Sequence, residues 1–201
     1  MKKMHGILVV WAICLLTAAM VAPLMAGNSQ HPLRNTKIGT WLEYNFKSAF
    51  DPGALKAAKC SSRWWNADHI TDDFLSVKFE TFVFGQRRPG GNHIFHFDRP
   101  FEPTLKDVNG VKIKVLSEGN ETLAINGKSY KCKWQVRQID LAMDEQTVTP
   151  EYKCKSKVWY CADVPLGGMV RMENDISQRF SKGEEFMKVY EFWELKAFGQ
   201  K

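Results

Sequence analysis

The chain has 201 residues, of which 12% are aromatic and 25% are charged, and its formal net charge is +6 at pH 7. This length fits one domain with a well-developed hydrophobic core. The lysines and arginines are spread over many segments of the chain. Because a nucleic-acid-binding surface needs clustered positive charge, we expect no nucleic-acid partner.

The first 26 residues have the features of a secretory signal peptide. Lys2 and Lys3 precede an apolar run from Gly6 to Ala26, and a small residue ends that run. We therefore predict a signal peptide over residues 1–26 and a periplasmic or secreted protein. The run approaches the length that spans a bilayer, roughly 20 residues, so an uncleaved N-terminal membrane anchor is the alternative. Nothing later in the sequence resembles a membrane span.

The next segments contain a polar leader, a strand and a short helix. Residues 27–37 are polar and turn-rich and predict a loose leader, and residues 38–201 predict a single β-rich domain. Aromatic residues in GTWLEYNF, residues 39–46, favour a first strand. Asp51 followed by proline, alanine, leucine and lysine predicts a short helix over residues 51–60.

The segment SSRWWNADH, residues 61–69, predicts a linker whose two tryptophans cover one end of the core. From Ile70 onward the chain is rich in β-forming residues, with breaks at glycine and proline such as QRRPGG. Further strands are predicted over residues 73–84, 92–97, 111–119, 121–125, 128–139, 152–160, 168–173 and 185–196.

Asn126-Gly127 is the strongest turn signal, because both residues accept the positive φ of a type I′ hairpin turn. In the strand that follows, Tyr130, Cys132, Trp134 and Val136 alternate with polar residues, which predicts one buried and one solvated face. With little helix and no alternation of strands with long helices, the predicted fold is mainly β: a single antiparallel sheet with one or two short helices.

The segment SKVWYCADVPLGGMVRME, residues 156–173, predicts a corner between two strands. Pro165 cannot donate a backbone hydrogen bond and ends the first strand. Gly167 and Gly168 permit a tight reversal, and the second strand returns from Met169.

Four cysteines follow the predicted signal peptide, and an even number in an exported chain favours disulfides. Cys154 and Cys161 lie at opposite ends of one predicted strand and cannot join. Two connectivities remain: 132–161 with 60–154, or 132–154 with 60–161. We favour 132–161, because pairing Cys132 with Cys154 in a hairpin would draw Pro150 into the ladder.

No catalytic constellation, metal site or cofactor motif is recognised, so we expect neither an enzyme nor a bound cofactor. His93 and His96 are three residues apart, which places them on opposite faces of a strand. Asp68-His69 near Ser61 or Ser62 contains the residue types of a hydrolase without a nucleophile elbow.

Two motifs resemble a group of exported bacterial proteins that have no assigned activity: the hairpin at residues 119–128 and the corner at residues 159–173. The matching residues are Gly119, Glu121, Thr122, Leu123, Gly127, Lys128, Trp159, Asp163, Val164, Pro165, Gly167, Gly168, Val170 and Glu173. Leu166, between the proline and the glycines, departs from the group's pattern.

The corner motif is also distantly similar to periplasmic carriers of the lipoprotein-localisation (LolA-like) superfamily. This resemblance implies a strongly curved sheet, shaped as an unclosed half-barrel, that binds a lipid or other apolar ligand in its concavity. Trp134, Trp159, Tyr160 and Phe192 are the candidate apolar lining. The alternative is a structural envelope module that binds a protein partner and no small ligand.

Overall fold

The structure is a computed structural model that describes residues 31–83, 86–98, 111–142 and 151–201. Residues 31–201 belong to one compact unit. The predicted signal peptide lies outside the described residues. Among the helical residues that are described, none belong to a helix long and apolar enough to cross a membrane.

The described residues contain nine strands and one short 3₁₀ helix, Gly53–Lys56. The strands are β1 Thr40–Ala49, β2 Ser61–Ile70, β3 Phe74–Val83, β4 Gln86–His96, β5 Lys112–Ile125, β6 Lys128–Leu141, β7 Glu151–Tyr160, β8 Met169–Arg179 and β9 Met187–Gln200. The prediction of a mainly β protein is confirmed.

All nine strands form one antiparallel sheet in the order β4-β3-β2-β1-β9-β8-β7-β6-β5. The sheet is not closed, because β4 and β5 form its two edges. The last strand of the chain, β9, lies between β1 and β8 and joins the two halves of the sheet.

The hairpin between β5 and β6 has the predicted turn. Asn126 and Gly127 have φ values of 50° and 75°, as a type I′ turn requires. The two strands predicted over residues 111–119 and 121–125 are instead one continuous strand, since Asn120 pairs with Lys133 in the ladder.

The segment predicted as a linker, residues 61–69, is part of strand β2. Successive side chains of a strand point to opposite faces, and the two tryptophans use both faces. Trp65 is 1% exposed in the core, whereas Trp64 stacks on Trp41 with ring centroids 5.0 Å apart. The polar residues around the pair favoured a loop in the sequence, but they fill partly exposed positions in the strand.

The helix predicted over residues 51–60 is only the single 3₁₀ turn. The Asp51 carboxylate accepts hydrogen bonds from the backbone N–H groups of Gly53 and Ala54, at 2.6 and 3.3 Å. The predicted break at QRRPGG is likewise absent: β4 runs through it, and Pro89 pairs with Glu80. An edge strand tolerates proline because one side of its backbone has no neighbour to bond.

The larger hydrophobic cluster joins residues from both halves of the sheet. The buried Tyr44 hydroxyl of β1 donates a hydrogen bond of 3.0 Å to the Met169 carbonyl of β8, across the intervening β9. The Asn126 side chain donates to the carbonyls of Leu195 and Lys196 in β9, at 3.5 and 3.2 Å. Strands that are not neighbours in the sheet therefore contact one another.

The burial pattern of β6 differs from the predicted single alternation. Cys132 is buried, but further along the strand the buried positions are Arg137, Ile139 and Leu141, which belong to the other alternating set. Ile139 and Leu141 pack in a second, smaller cluster with Cys154 of β7. Neither face of this strand is buried along its whole length.

Candidate functional site

A cavity of 360 Å³ is bounded by strands from both halves of the sheet, β2–β4 on one side and β7–β9 on the other. Its volume lies within the range of small-molecule sites, about 300–1,000 Å³. Its apolar walls are formed by Phe79, Ile176, Val189 and Trp193.

Arg63 is the cation of this cavity. Its guanidinium carbon lies 3.6 Å from the ring centroid of Phe46 and 4.4 Å from that of Trp193. Burial lowers the pKa of Arg63, and the nearby Glu191 carboxylate opposes that shift; an arginine so placed keeps its charge at neutral pH. Its buried Nε atom has no hydrogen-bond partner among the described residues.

Glu191, the cavity carboxylate that acts on the pKa of Arg63, has its hydrogen bonds satisfied instead. Its Oε2 atom accepts hydrogen bonds from Asn174 Nδ2 and Trp193 Nε1, both at 3.2 Å. The protein therefore satisfies the negative group of this pair with two donors, while the Nε–H of the positive group has no acceptor among the described residues.

Glu191 belongs to a row of polar side chains on one face of the sheet. Arg137, Ser156, Asn174 and Glu191 are directly opposite one another on the successive strands β6, β7, β8 and β9. The first three are at most 4% exposed. Buried polar atoms normally have partners, yet within the described part of the chain Ser156 Oγ and Asn174 Oδ1 have none.

This row was not predicted from the sequence, although β7 carries a pattern that indicates part of it. Lys153, Lys155 and Lys157 alternate with Cys154 and Ser156, so the lysine spacing marks Ser156 as a residue of the inner face. No comparable pattern in one strand predicts Arg63, whose position depends on how β2 approaches β9.

Trp134 and Trp159, two residues of the predicted apolar lining, are brought together as a direct cross-strand pair. The Lys157 ammonium lies 4.8 and 4.4 Å from their ring centroids. Trp159 Nε1 donates a hydrogen bond of 2.8 Å to Glu121. Trp134 covers Gly119, where an added Cβ would lie 2.7 Å from the indole ring. Neither tryptophan lines the 360 Å³ cavity.

Phe192 lies on the same side of the sheet as this pair, since the Arg171 guanidinium is near both its ring and that of Trp159, at 5.7 and 5.9 Å. Tyr160 follows Trp159 in the strand and faces the other side. It lines a separate open cavity of 800 Å³ beside the corner at residues 161–168. The structure does not bring the four predicted residues into one site.

The corner has the predicted form. Strand β7 ends at Tyr160, β8 begins at Met169, and Leu166, Gly167 and Gly168 have φ values of 52°, 86° and 77°. The Cys161 N–H donates a hydrogen bond of 2.8 Å to the Gly168 carbonyl. A Cβ on Gly168 would lie 2.7 Å from the Cys161 carbonyl oxygen, so this position requires glycine.

All four described cysteines are present as thiols, so neither predicted disulfide connectivity is formed in this structure. Cys132 and Cys161 belong to the larger hydrophobic cluster, and Cys154 belongs to the smaller one. Cys60 is exposed.

His93 and His96, which strand geometry predicts on opposite faces of β4, have different surroundings in the structure. His93 lines the 360 Å³ cavity, whereas His96, the last residue of β4, pairs with Phe74 and does not line it. In the described ranges, no three side chains of histidine, cysteine, aspartate or glutamate form a group that could hold a metal ion. Ser62 is engaged elsewhere, as its hydroxyl donates to the Glu43 carboxylate.

No protein-family model and no curated protein matches the sequence. Among solved structures, the chain is similar to an exported protein with a YmcC-like fold from Bacteroides fragilis, at 13% identity and a TM-score of 0.39, covering 82% of this chain and 97% of that one. It is also similar to a lipoprotein from Parabacteroides distasonis, at 11% identity and a TM-score of 0.38, covering 80% and 96%. Likenesses this distant carry no argument about function.

Proposed function

We propose that this protein is a non-catalytic exported protein of the cell envelope that binds a small amphiphile inside an unclosed half-barrel. The single observation that supports it is the 360 Å³ cavity, whose apolar walls adjoin a guanidinium with an unsatisfied N–H. Export is inferred from the signal-peptide pattern of residues 1–26.

The half-barrel shape is inferred from contacts between strands that are distant in the sheet. One cavity is lined by β2–β4 and β7–β9, and Tyr44 of β1 reaches Met169 of β8. A sheet that curves about the axis of its strands would bring these elements together and leave β4 and β5 as free edges.

The ligand we propose has an apolar body and an acidic head group. Phe79, Ile176 and Trp193 offer the apolar body an apolar surface. The head group would accept a hydrogen bond from Arg63, whose charge strengthens such a bond. Glu191 already accepts two hydrogen bonds and does not need a donor from the ligand.

Binding of dodecanoate, dodecanol and dodecyltrimethylammonium to the purified chain tests this function, measured by native mass spectrometry and calorimetry. We expect dodecanoate to bind most tightly. Arg63→Met, which keeps an apolar stem, is expected to weaken dodecanoate binding roughly tenfold or more and to affect dodecanol little, because a charge-assisted hydrogen bond is lost.

Arg171→Met is the matched control. Arg171 also lies over aromatic rings, but it pairs with Glu194 on the side of the sheet away from the cavity. Equal weakening by the two variants would reject Arg63 as the head-group residue. If none of the three probes binds, the ligand-binding function itself is rejected.

The second candidate function is a structural module that binds a protein partner in the envelope and no small ligand. It is favoured by edge strand β5, which among the described residues pairs only with β6. Val115 and Leu116 of this strand are 46% and 48% exposed. Exposed strand edges with apolar residues accept an added strand from another chain. Absence of probe binding together with a stable complex at this edge would favour it.

A further inference from the structure

Two buried cysteines, Cys132 and Cys161, are neighbours in the larger hydrophobic cluster where strands β6 and β7 approach the corner. Lys133 of β6 and Tyr160 of β7 form the last pair of their ladder. Cys132 and Cys161 are the next residues beyond that pair, where a continued register would place them opposite each other. Directly opposite residues have Cβ atoms about 4.5–5.5 Å apart, and a disulfide needs about 3.5–4.5 Å. The two side chains are 2% and 3% exposed and share one hydrophobic cluster.

Electrostatic coupling supports the same proximity. The pKa of Cys132 is raised to about 11, first by burial and then by the neighbouring Cys161. The same two cysteines also contribute, after burial, to the raised pKa of Tyr130. The Cys161 backbone is held in place by its hydrogen bond to Gly168.

We propose that Cys132 and Cys161 are joined by a disulfide in the mature protein, which links β6 covalently to the corner. The oxidising compartment in which this bond would form rests on the proposed export. The pairing itself depends only on the strand register, so it can be tested separately from export and from ligand binding.

The remaining cysteines are placed elsewhere. Cys154 lies opposite Ile139 and Ile176 in the ladders, within the smaller cluster. Cys60 is exposed and immediately precedes β2. Of the three possible partners of Cys132, the strand register therefore favours Cys161 over Cys60 and Cys154.

A small-molecule disulfide such as glutathione disulfide can serve as the oxidant that forms this bond. One cysteine thiolate attacks a sulfur of glutathione disulfide. A mixed disulfide forms between the cysteine and that glutathione, and the other glutathione leaves as a thiolate. The second cysteine thiolate then attacks the protein sulfur of that mixed disulfide and releases the second glutathione. Two protein thiols are oxidised, one glutathione disulfide is reduced to two thiols, and each proton lost by a cysteine is taken up by a glutathione thiolate.

The test is refolding of the reduced full chain in a glutathione redox buffer, followed by acid quenching, alkylation and peptide mapping. Trypsin would release the same dipeptide, Cys-Lys, from around Cys132 and Cys154, so chymotrypsin is the suitable protease. It yields distinct peptides, KCKW from residues 131–134 and KCKSKVW from residues 153–159. We expect the peptide that contains Cys132 to be linked to the one that contains Cys161.

Cys132→Ala and Cys161→Ala are expected to abolish the cross-link, and Cys60→Ser and Cys154→Ala to retain it. Oxidation of the unfolded chain in denaturant is the control for random pairing of the cysteines. Cys132 recovered as a free thiol from the oxidised folded chain, or linked mainly to Cys60 or Cys154, would overturn the proposal.

A second readout separates the bond from the packing role of the side chains. The oxidised wild-type chain is expected to have a folding equilibrium constant about 100-fold larger than the reduced one, because the bond restricts the unfolded chain. Cys132→Ala loses packing in both states, but oxidation should no longer change its stability. An oxidation effect that persists in this variant would also overturn the proposal.

Discussion

At the scale of single residues, buried polar groups tie together parts of the sheet that are not hydrogen-bonded neighbours. Tyr44 is 0% exposed, and its hydroxyl donates to the Met169 carbonyl at 3.0 Å. Burial raises the pKa of this hydroxyl well above its usual value, so it remains a neutral donor over the physiological pH range. Its ring also packs against Trp65 and Trp193.

Replacing Tyr44 by phenylalanine tests the hydrogen bond while leaving the ring in place. We expect Tyr44→Phe to lower the free energy of unfolding by about 1–3 kcal/mol, because the buried carbonyl loses a donor. Urea denaturation followed by tryptophan fluorescence measures the change. Tyr190→Phe, at a partly buried position of β9, is the control and should change stability little; equal effects would contradict the assigned role.

At the scale of elements, turn chemistry determines how consecutive strands connect. The type I′ turn at Asn126-Gly127 and the corner at Leu166–Gly168 both use residues with positive φ. The two sites differ in their surroundings: a Cβ on Gly127 would meet nothing within 4 Å, but one on Gly168 would lie 2.7 Å from the Cys161 carbonyl oxygen. The corner is therefore constrained by packing as well as by backbone conformation.

Alanine substitutions at these two glycines separate the two effects. Gly127→Ala should cost about 1–2 kcal/mol from its positive φ alone. Gly168→Ala has a similar φ and should cost a further 1–3 kcal/mol or so, because the backbone oxygen cannot move away easily. Thermal and urea unfolding of both variants provides the measurement. Equal destabilisation would mean that the corner relaxes around the added methyl group.

At the scale of the whole molecule, the last strand holds the sheet together. β9 is hydrogen-bonded to β1 on one side and β8 on the other, so it is the only link in the ladder between β1–β4 and β5–β8 among the described strands. Trp193 and Leu195 of β9 are buried in the larger cluster. The chain must therefore pair β1 with β9, which are far apart in the sequence, before the sheet is complete. Pairing of strands so distant in sequence is a slow step in folding.

Deleting residues 187–201 tests this dependence. We expect the truncated chain to lose cooperative unfolding, since both halves of the sheet would expose a long strand edge and the core would lose Trp193. Circular dichroism and thermal denaturation measure the loss. A synthetic peptide of residues 185–201 added in trans should restore a cooperative transition, whereas a scrambled peptide should not. A truncated chain that still melts cooperatively would contradict the proposed role of β9.

The sequence by itself determined the class of fold and several local features. β-rich composition, the Asn126-Gly127 turn and the glycine pair after Pro165 act through nearest neighbours in the chain, so they could be recognised without tertiary contacts. β2 was missed because its two tryptophans and polar residues do not alternate simply: Trp64 and Trp65 pack on opposite faces against different partners.

Only the tertiary structure decided the candidate site. Arg63, Ile176 and Glu191 come from β2, β8 and β9, and they line one cavity because β9 lies between β1 and β8. The predicted lining failed to converge because adjacent residues such as Trp159 and Tyr160 face opposite sides of the sheet. A sequence records the alternation within each strand, but which strands become neighbours is settled by long-range pairing and by the burial that it allows.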